Sequence, residues 1–285
     1  LCWLPSVLFR NYSFVDRLWS ILPAYYAVLI LLGFGESSAG LPSPRLSLLA
    51  MLITMWTLRL TYNFYRKGGY EWSGEDYRWA YVQETFRCIP SRGLQLLAWE
   101  LFNLGFIALI QNVLLLALTL PVYLVWLIET QTGTGVATLN RWDALGTGLW
   151  LLLLLGETIA DQQQWDFHQA KHHWTVRKSL PPHSPQGLVT DLENGFLTRG
   201  LFRLSRHPNF MCEMSLWWVL TLFVKGASQG LDSTAIPPFV KPWVYAPALA
   251  LTLLFQGSTT LTENITASKY PLYREYQRTT ARFVP

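Results

Sequence analysis

Residues 200–213 read Gly-Leu-Phe-Arg-Leu-Ser-Arg-His-Pro-Asn-Phe-Met-Cys-Glu and run straight into the apolar stretch 214–224. Arg206, His207 and Asn209, with Glu213 just inside the apolar run, are costly in hydrocarbon unless they face one another or a ligand. A guanidinium fork beside an imidazole at a membrane edge suits phosphate. A membrane-embedded site for a polyanion is therefore the first expectation.

Two further groups of polar residues follow apolar runs. Arg59, Tyr62, Asn63, Tyr65 and Arg66 close the second apolar segment, ahead of Gly68-Gly69-Tyr70 and Glu75-Asp76-Tyr77-Arg78-Trp79. On a helix Arg59, Asn63 and Arg66 share one face. Glu157, Asp161, Gln164 and His168 are spaced four, three and four apart, which puts them on one side of a helix leaving the membrane. Two carboxylates one turn apart repel, so an arginine or the ribose and amide groups of a nucleotide are expected against them. His168, His172, His173 and His183 have no HExxH among them, and no metal is expected. The segment 171–187 reads as a loop. Near the end, Tyr270, Tyr273 and Tyr276 recur every three residues after Glu263. They form either an interfacial amphipathic helix or a wall closing a cofactor site.

The elements that must hold these groups are membrane helices. The 285 residues are 51% hydrophobic and only 14% charged, against about a quarter charged in an ordinary soluble domain. Spans of about twenty residues are expected near 18–35, 46–62, 94–118, 143–160, 209–225 and 242–261. The stretch 119–130 after the third of them is a kinked extension, a re-entrant piece or half of another crossing. The fold class expected is an all-α polytopic bundle of about six to seven spans, in a single domain over 1–285.

Seventeen Lys and Arg residues fall on one side of these spans, and four (Arg45, Arg141, Lys225, Lys241) on the other. The positive-inside rule makes the rich side cytosolic, leaving the opposite loops 36–44, 130–140 and 226–241 as plain connectors. The net charge of +4 reflects topology and an anionic ligand, and no basic stripe with interleaved aromatics points to nucleic acid. Cys2, Cys88 and Cys212 form no CxxC pair and imply no disulfide. No cleavable signal peptide is expected. The sequons at Asn11 and Asn264 lie on the cytosolic side or in the membrane and are discounted.

Gly200-Leu201-Phe202, Ser205-Arg206-His207-Pro208-Asn209-Phe210 with Glu213, and Glu263 with Tyr270-Pro271, Tyr273, Tyr276 and the terminal Phe283-Val284-Pro285 resemble the C-terminal domain of the steroid 5α-reductase superfamily. The Arg-His-Pro turn is shared with isoprenylcysteine carboxyl methyltransferases and sterol C14 reductases. Asp16-Arg17-Leu18-Trp19-Ser20, Arg59 with Asn63, and Gly68-Gly69 with Glu75 to Trp79 are similar to the reductase-like branch, extending the resemblance over nearly the whole chain.

The resemblance implies an NADPH-dependent membrane reductase acting on the activated C=C bond of a sterol-like or enone lipid, in the endoplasmic reticulum with its site facing the cytosol. Residues 140–285 would be the cofactor-binding half. Asp161 and Asn209 would contact the cofactor, Arg206 and His207 its phosphates, and Glu213 would lie nearer the nicotinamide. Arg59, Asn63, Arg66, Tyr270 and Tyr273 complete the cofactor set. Asp16 is a loose counterpart of a catalytic glutamate, and Tyr62 and Tyr65 are the candidates for a tyrosine proton donor. Cys212 stands where the family usually has Gly. The alternatives are an S-adenosylmethionine-dependent methyltransferase and a noncatalytic lipid-binding protein of the same fold.

Overall fold

The computed structural model describes residues 2–34, 43–131, 138–177, 187–229 and 243–284. His183 and most of the three connector loops lie outside them. The described residues are helical, with no β-strand among them: α1 (Trp3–Phe9), α2 (Phe14–Trp19), α3 (Leu22–Phe34), α4 (Pro44–Arg66), α5 (Arg78–Thr85), α6 (Arg92–Phe102), α7 (Gln111–Ala117), α8 (Leu120–Gln131), α9 (Arg141–Arg177), α10 (Leu188–Asn194), α11 (Pro208–Ala227), α12 (Ala246–Lys269) and α13 (Tyr273–Thr279). The contacts divide the chain into two compact units. Leu1–Thr147 with Trp217–Leu251 form the first, and Gly148–Leu216 with Thr252–Pro285 the second.

Four helical stretches are long and apolar enough to cross a membrane: Phe14–Gly33, Arg92–Thr130, Arg141–Val176 and Pro208–Ala227. This is an integral membrane protein by its helices. Expected spans 46–62 and 242–261 coincide with α4 and α12, which are helical but carry more polar side chains, among them Arg59 and Asn63 on α4 and Gln256, Ser258, Thr259 and Thr260 on α12. The stretch 119–130 is a helix of its own, α8, packed on α3 and α4. Residues 171–177, expected in a loop, continue α9 instead.

In the first unit, α4 starts at a true cap. Ser43 accepts from the Leu46 amide at 3.2 Å, and Pro44 follows at the first helical position, where its missing N–H costs nothing. Leu46, Leu49, Leu52, Ile53 and Trp56 recur at helical spacing and are buried. Trp56 meets Trp217 edge to face at 5.0 Å. Between α6 and α7 the helix widens to π geometry over Asn103–Ile110. Apolar periodicity could not show this. Asn103, fully buried, donates to Ser6 at 3.0 Å and to Glu100 at 3.2 Å, and so ties α1 to the widened turn.

In the second unit, Ala160, Phe167 and Ala170 on α9 form one core with Leu188, Leu192, Leu197 and Phe202. Gly156 and Cys212 face each other closely: a Cβ on Gly156 would stand 3.2 Å from the Cys212 sulfur. The thiol thus takes space that a glycine on the other helix leaves open.

Candidate functional site

Polar residues in the second unit are organised around one carboxylate. Arg206, starting from the turn before α11, donates from Nε to Glu263 Oε1 at 2.7 Å and from Nη2 to Oε2 at 3.2 Å. Its Nη1 donates to the carbonyls of Gln277, at 3.0 Å, and Thr280. His207 Nε2, at 3.0 Å, Gln277 Nε2, at 3.0 Å, and Arg282 Nη2, at 3.4 Å, complete the ring of donors on Glu263.

Burial opposes the charge on Glu263, but the bonds from His207, Arg206 and Gln277 outweigh it and hold its carboxyl at about 2. It is therefore an acceptor at neutral pH, and His207 Nε2 carries the proton between them. The backbone closes the same junction: a parallel bridge joins Ser205 to Ala281, Arg206 N donates to Ala281 O at 2.9 Å, and His207 N to Arg282 O at 3.2 Å.

This changes the roles expected of Arg206 and His207. Four N–H bonds of the guanidinium go to the protein itself, so Arg206 and His207 fasten the C-terminal segment to the start of α11. Tyr273 and Tyr276 are buried beside them, and Tyr276 donates to the Phe202 carbonyl. Burial pushes both phenols up from their ordinary value, which makes them packing groups with a polar tip.

Asp161 and Asn209 do meet, the amide donating to Asp161 Oδ1 at 3.2 Å. Glu157, Asp161 and Glu213 are all buried in this unit. Down the same side of α9, half-buried Gln164 and exposed His168 bond each other at 3.1 Å. A carboxylate with a carboxamide suits ribose hydroxyls and amides, so the Asp161–Asn209 pair fits that part of a nucleotide. An open cleft of about 380 Å³, lined in part by Asn194, Phe196, Arg203, Glu275 and Tyr276, lies in the same unit. Arg203 there is exposed, a phosphate-compatible guanidinium that the sequence reading passed over.

Tyr270 has a partner that no spacing rule announces. Lys171 donates to the Tyr270 hydroxyl and to the Gly195 carbonyl, both at 2.7 Å. Gly195 sits at φ +85°, and a Cβ there would lie 2.2 Å from the Tyr270 ring. Gly195→Ala is therefore expected to displace Tyr270 and lower stability by more than the about 1 kcal/mol of a backbone effect alone. Unchanged melting and an unchanged Tyr270 environment, read by fluorine labelling, would count against this packing.

The first unit holds the remaining candidates. Asn63 is buried and accepts from Arg66 Nε at 2.9 Å, while Arg59 is half-buried on the same helix face. Tyr62 and Tyr65 are 63% and 69% exposed. Tyr62 lies beneath the Arg66 guanidinium, 5.6 Å from its ring centre.

Asp16 is enclosed, next to Ser13, Trp79, Asp76 and Arg78. The glycine-rich segment before Trp79 is wrapped around Arg17, whose guanidinium donates to the carbonyls of Gly69, Glu71, Trp72 and Gly74 at 2.9–3.3 Å. Asn11, discounted as a sequon, is buried and donates to Trp72 and Gly74. Arg17, counted from the sequence among the topology charges, and Asn11 are the frame of the loop.

A third cluster lies where the expected connectors meet the helices. Arg45, 2% exposed, binds both oxygens of Asp143, at 2.7 and 2.8 Å, and pairs with Glu129. Ser43 donates to Glu129 at 2.6 Å, and Asn140 N to Asp143 at 2.8 Å. Among the described residues no three His, Cys, Asp or Glu side chains are grouped to hold a metal ion.

Comparison with known proteins gives a family without an activity. Residues 2–280 match the family model described as a protein of unknown function, DUF1295. An uncharacterised protein of Schizosaccharomyces pombe is 39% identical over 284 residues, which is 99% of this chain and 75% of that protein. No solved structure matches.

Proposed function

Since the chain belongs to the DUF1295 family, which brings no reaction with it, we propose from its residues that it is a membrane NADPH-dependent reductase of an activated C=C bond in a hydrophobic, sterol-like or enone substrate. The observation that carries this reading is the pairing of buried Asp161 with half-buried Asn209 at 3.2 Å, beside a turn that Arg206 and His207 lock to Glu263. Asn209 and Asp161 bind and orient the ribose and carboxamide groups. Arg206 and His207 are positioning residues that fix the turn carrying Asn209. Arg203, at the open cleft of the same unit, is the guanidinium group suited to phosphate. NADPH would supply the hydride when bound. Six or seven crossings in the endoplasmic reticulum, with the basic side cytosolic, complete the proposal.

One observation favours a second reading. With Arg206 spent on Glu263, the buried carboxylates Glu157, Asp161 and Glu213 dominate this region, and acids suit the sulfonium of S-adenosylmethionine better than a pyrophosphate. Thermal shifts of the full chain in detergent separate the two. NADPH at about 100 Kd should stabilise by about 2.7 kcal/mol, NADH less, and Asn209→Ala should abolish the shift. Stabilisation by S-adenosylmethionine alone would overturn the reductase in favour of methyl transfer.

A further inference from the structure

The open cleft of about 380 Å³ in the second unit carries one charge of each sign. Arg203 and Glu275 both line it, and both are exposed. Arg203 makes no ion pair or side-chain hydrogen bond among the described residues. Glu275 accepts one bond, from Arg278 at 3.3 Å, and that pair is exposed on both sides, where such bridges contribute little. Both charges are therefore available to a ligand. A ligand of one sign is attracted by one of them and repelled by the other, whereas a zwitterion satisfies both.

The neutral groups of the cleft narrow the choice of zwitterion. Thr198 spends its hydroxyl proton on Asp191 Oδ1, at 2.6 Å, and Thr279 on the Glu275 carbonyl, at 3.1 Å. Each hydroxyl is left with lone pairs alone to offer. With the Glu275 carboxylate they make an acceptor set, which suits an ammonium bearing N–H groups and gives no hydrogen bond to a quaternary one. Asn194 brings a further donor that a phosphate beside Arg203 can use. The place of the cleft fits the same ligand. Arg203 stands five residues ahead of Pro208, where α11 begins, a helix long and apolar enough to cross a membrane. Leu272 follows the end of α12, at Lys269, by three residues. Both positions flank the ends of long apolar helices, the depth of lipid headgroups. Leu272, in the cleft, and Leu204, next to Arg203, leave apolar surface exposed there, which suits the glycerol and upper acyl carbons at that depth.

We propose that this cleft seats the phosphoethanolamine headgroup of a membrane phospholipid, with the phosphate on Arg203 and Asn194 and the ammonium on Glu275, Thr198 and Thr279. Leu272 and Tyr276 pack against the carbons between the two charges. The site does not depend on the reductase reading. Where that reading holds, a seated headgroup and a dinucleotide phosphate exclude each other at Arg203, and the lipid regulates coenzyme binding.

The test needs neither dinucleotide nor turnover. The probes are dihexanoyl phosphatidylethanolamine, its choline and glycerol counterparts, and inorganic phosphate, each titrated by calorimetry into the full chain in a nonionic detergent, with the titration into detergent alone subtracted. The ethanolamine lipid should bind about tenfold tighter than the other two, and inorganic phosphate weaker still. Arg203→Gln should lower the affinity for the ethanolamine lipid about tenfold. Glu275→Gln should lower it by a similar factor while raising that of phosphatidylglycerol. Arg274→Gln, exposed and outside the cleft, should bind as the parent does. All three positions are exposed, so these variants should fold as the parent does. A basic surface that only attracts anions predicts tighter binding of the ethanolamine lipid in Glu275→Gln, and that result overturns the assignment. Equal affinity for the three lipids, inorganic phosphate bound as tightly as the ethanolamine lipid, or unchanged binding in Arg203→Gln overturns it as well.

Discussion

Glu263→Ala is expected to cost about 3–5 kcal/mol, the range for stripping one partner from a buried ion pair. The size follows from what is stranded: the Arg206 guanidinium, His207 Nε2, Gln277 and Arg282 all lose their acceptor at once. At about 2–4 °C per kcal/mol for a domain of this size, melting of the detergent-solubilised protein should fall by about 10 °C. Proteolysis should open the C-terminal segment first, because Ser205 to His207 are what it pairs with. Glu263→Gln, isosteric but uncharged, should lie between parent and alanine variant. Melting within a degree of the parent in Glu263→Ala would sink the hub.

The same carboxylate predicts a pH dependence. Its folded value of about 2 lies below the ordinary 4.5, so the unfolded chain binds the extra proton between those values. The stabilisation is complete above about pH 4.5, and is lost as pH falls through 4.5 toward 2. Glu263→Gln should flatten that limb of the curve.

Arg45→Ala is expected to be of similar cost, about 3–5 kcal/mol, for the mirror reason. Removing the guanidinium leaves Asp143 and Glu129 as two buried carboxylates with their counter-ion gone. The triple variant Arg45→Met, Glu129→Leu, Asp143→Leu removes all three charges together and should recover much of the loss, since apolar replacement of a buried triad is often neutral or better. If the triple variant is as unstable as Arg45→Ala, the effect lies in packing and not in stranded charge. Melting curves in one detergent decide between them.

The two clusters explain why the candidate site was only partly legible. Arg206 and His207 stand out in the sequence by type, and their grouping as an anion site was reasonable for a cationic turn at a membrane edge. The partner of that turn turned out to be a carboxylate of the same chain, 57 residues away. Asp161 and Asn209, each expected against the cofactor, bond one another across 48 residues. Lys171 was assigned to a loop because the Lys and His residues around it end the apolar pattern, whereas α9 simply leaves the apolar region and continues as a polar helix to Arg177. Tyr62 and Tyr65, the proton-donor candidates that the resemblance implied, both have exposed rings on α4.

By itself the sequence determined that the chain is helical and membrane-embedded. Those properties follow from composition and from runs of about twenty apolar residues, which are local and additive. Helix starts such as Ser43-Pro44, the two-sided distribution of Lys and Arg, and the polar side of α9 at Glu157 and Asp161 belong to the same local class. Only the tertiary structure decided that Arg206 binds Glu263, that Arg45 binds Asp143 across 98 residues, and that Arg17 and Asn11 gather the carbonyls of residues 69–74. A charge has no preferred partner written into its own neighbourhood. The cost of burying it unpaired is what selects one, and that cost appears only once the helices have brought distant residues to the same depth.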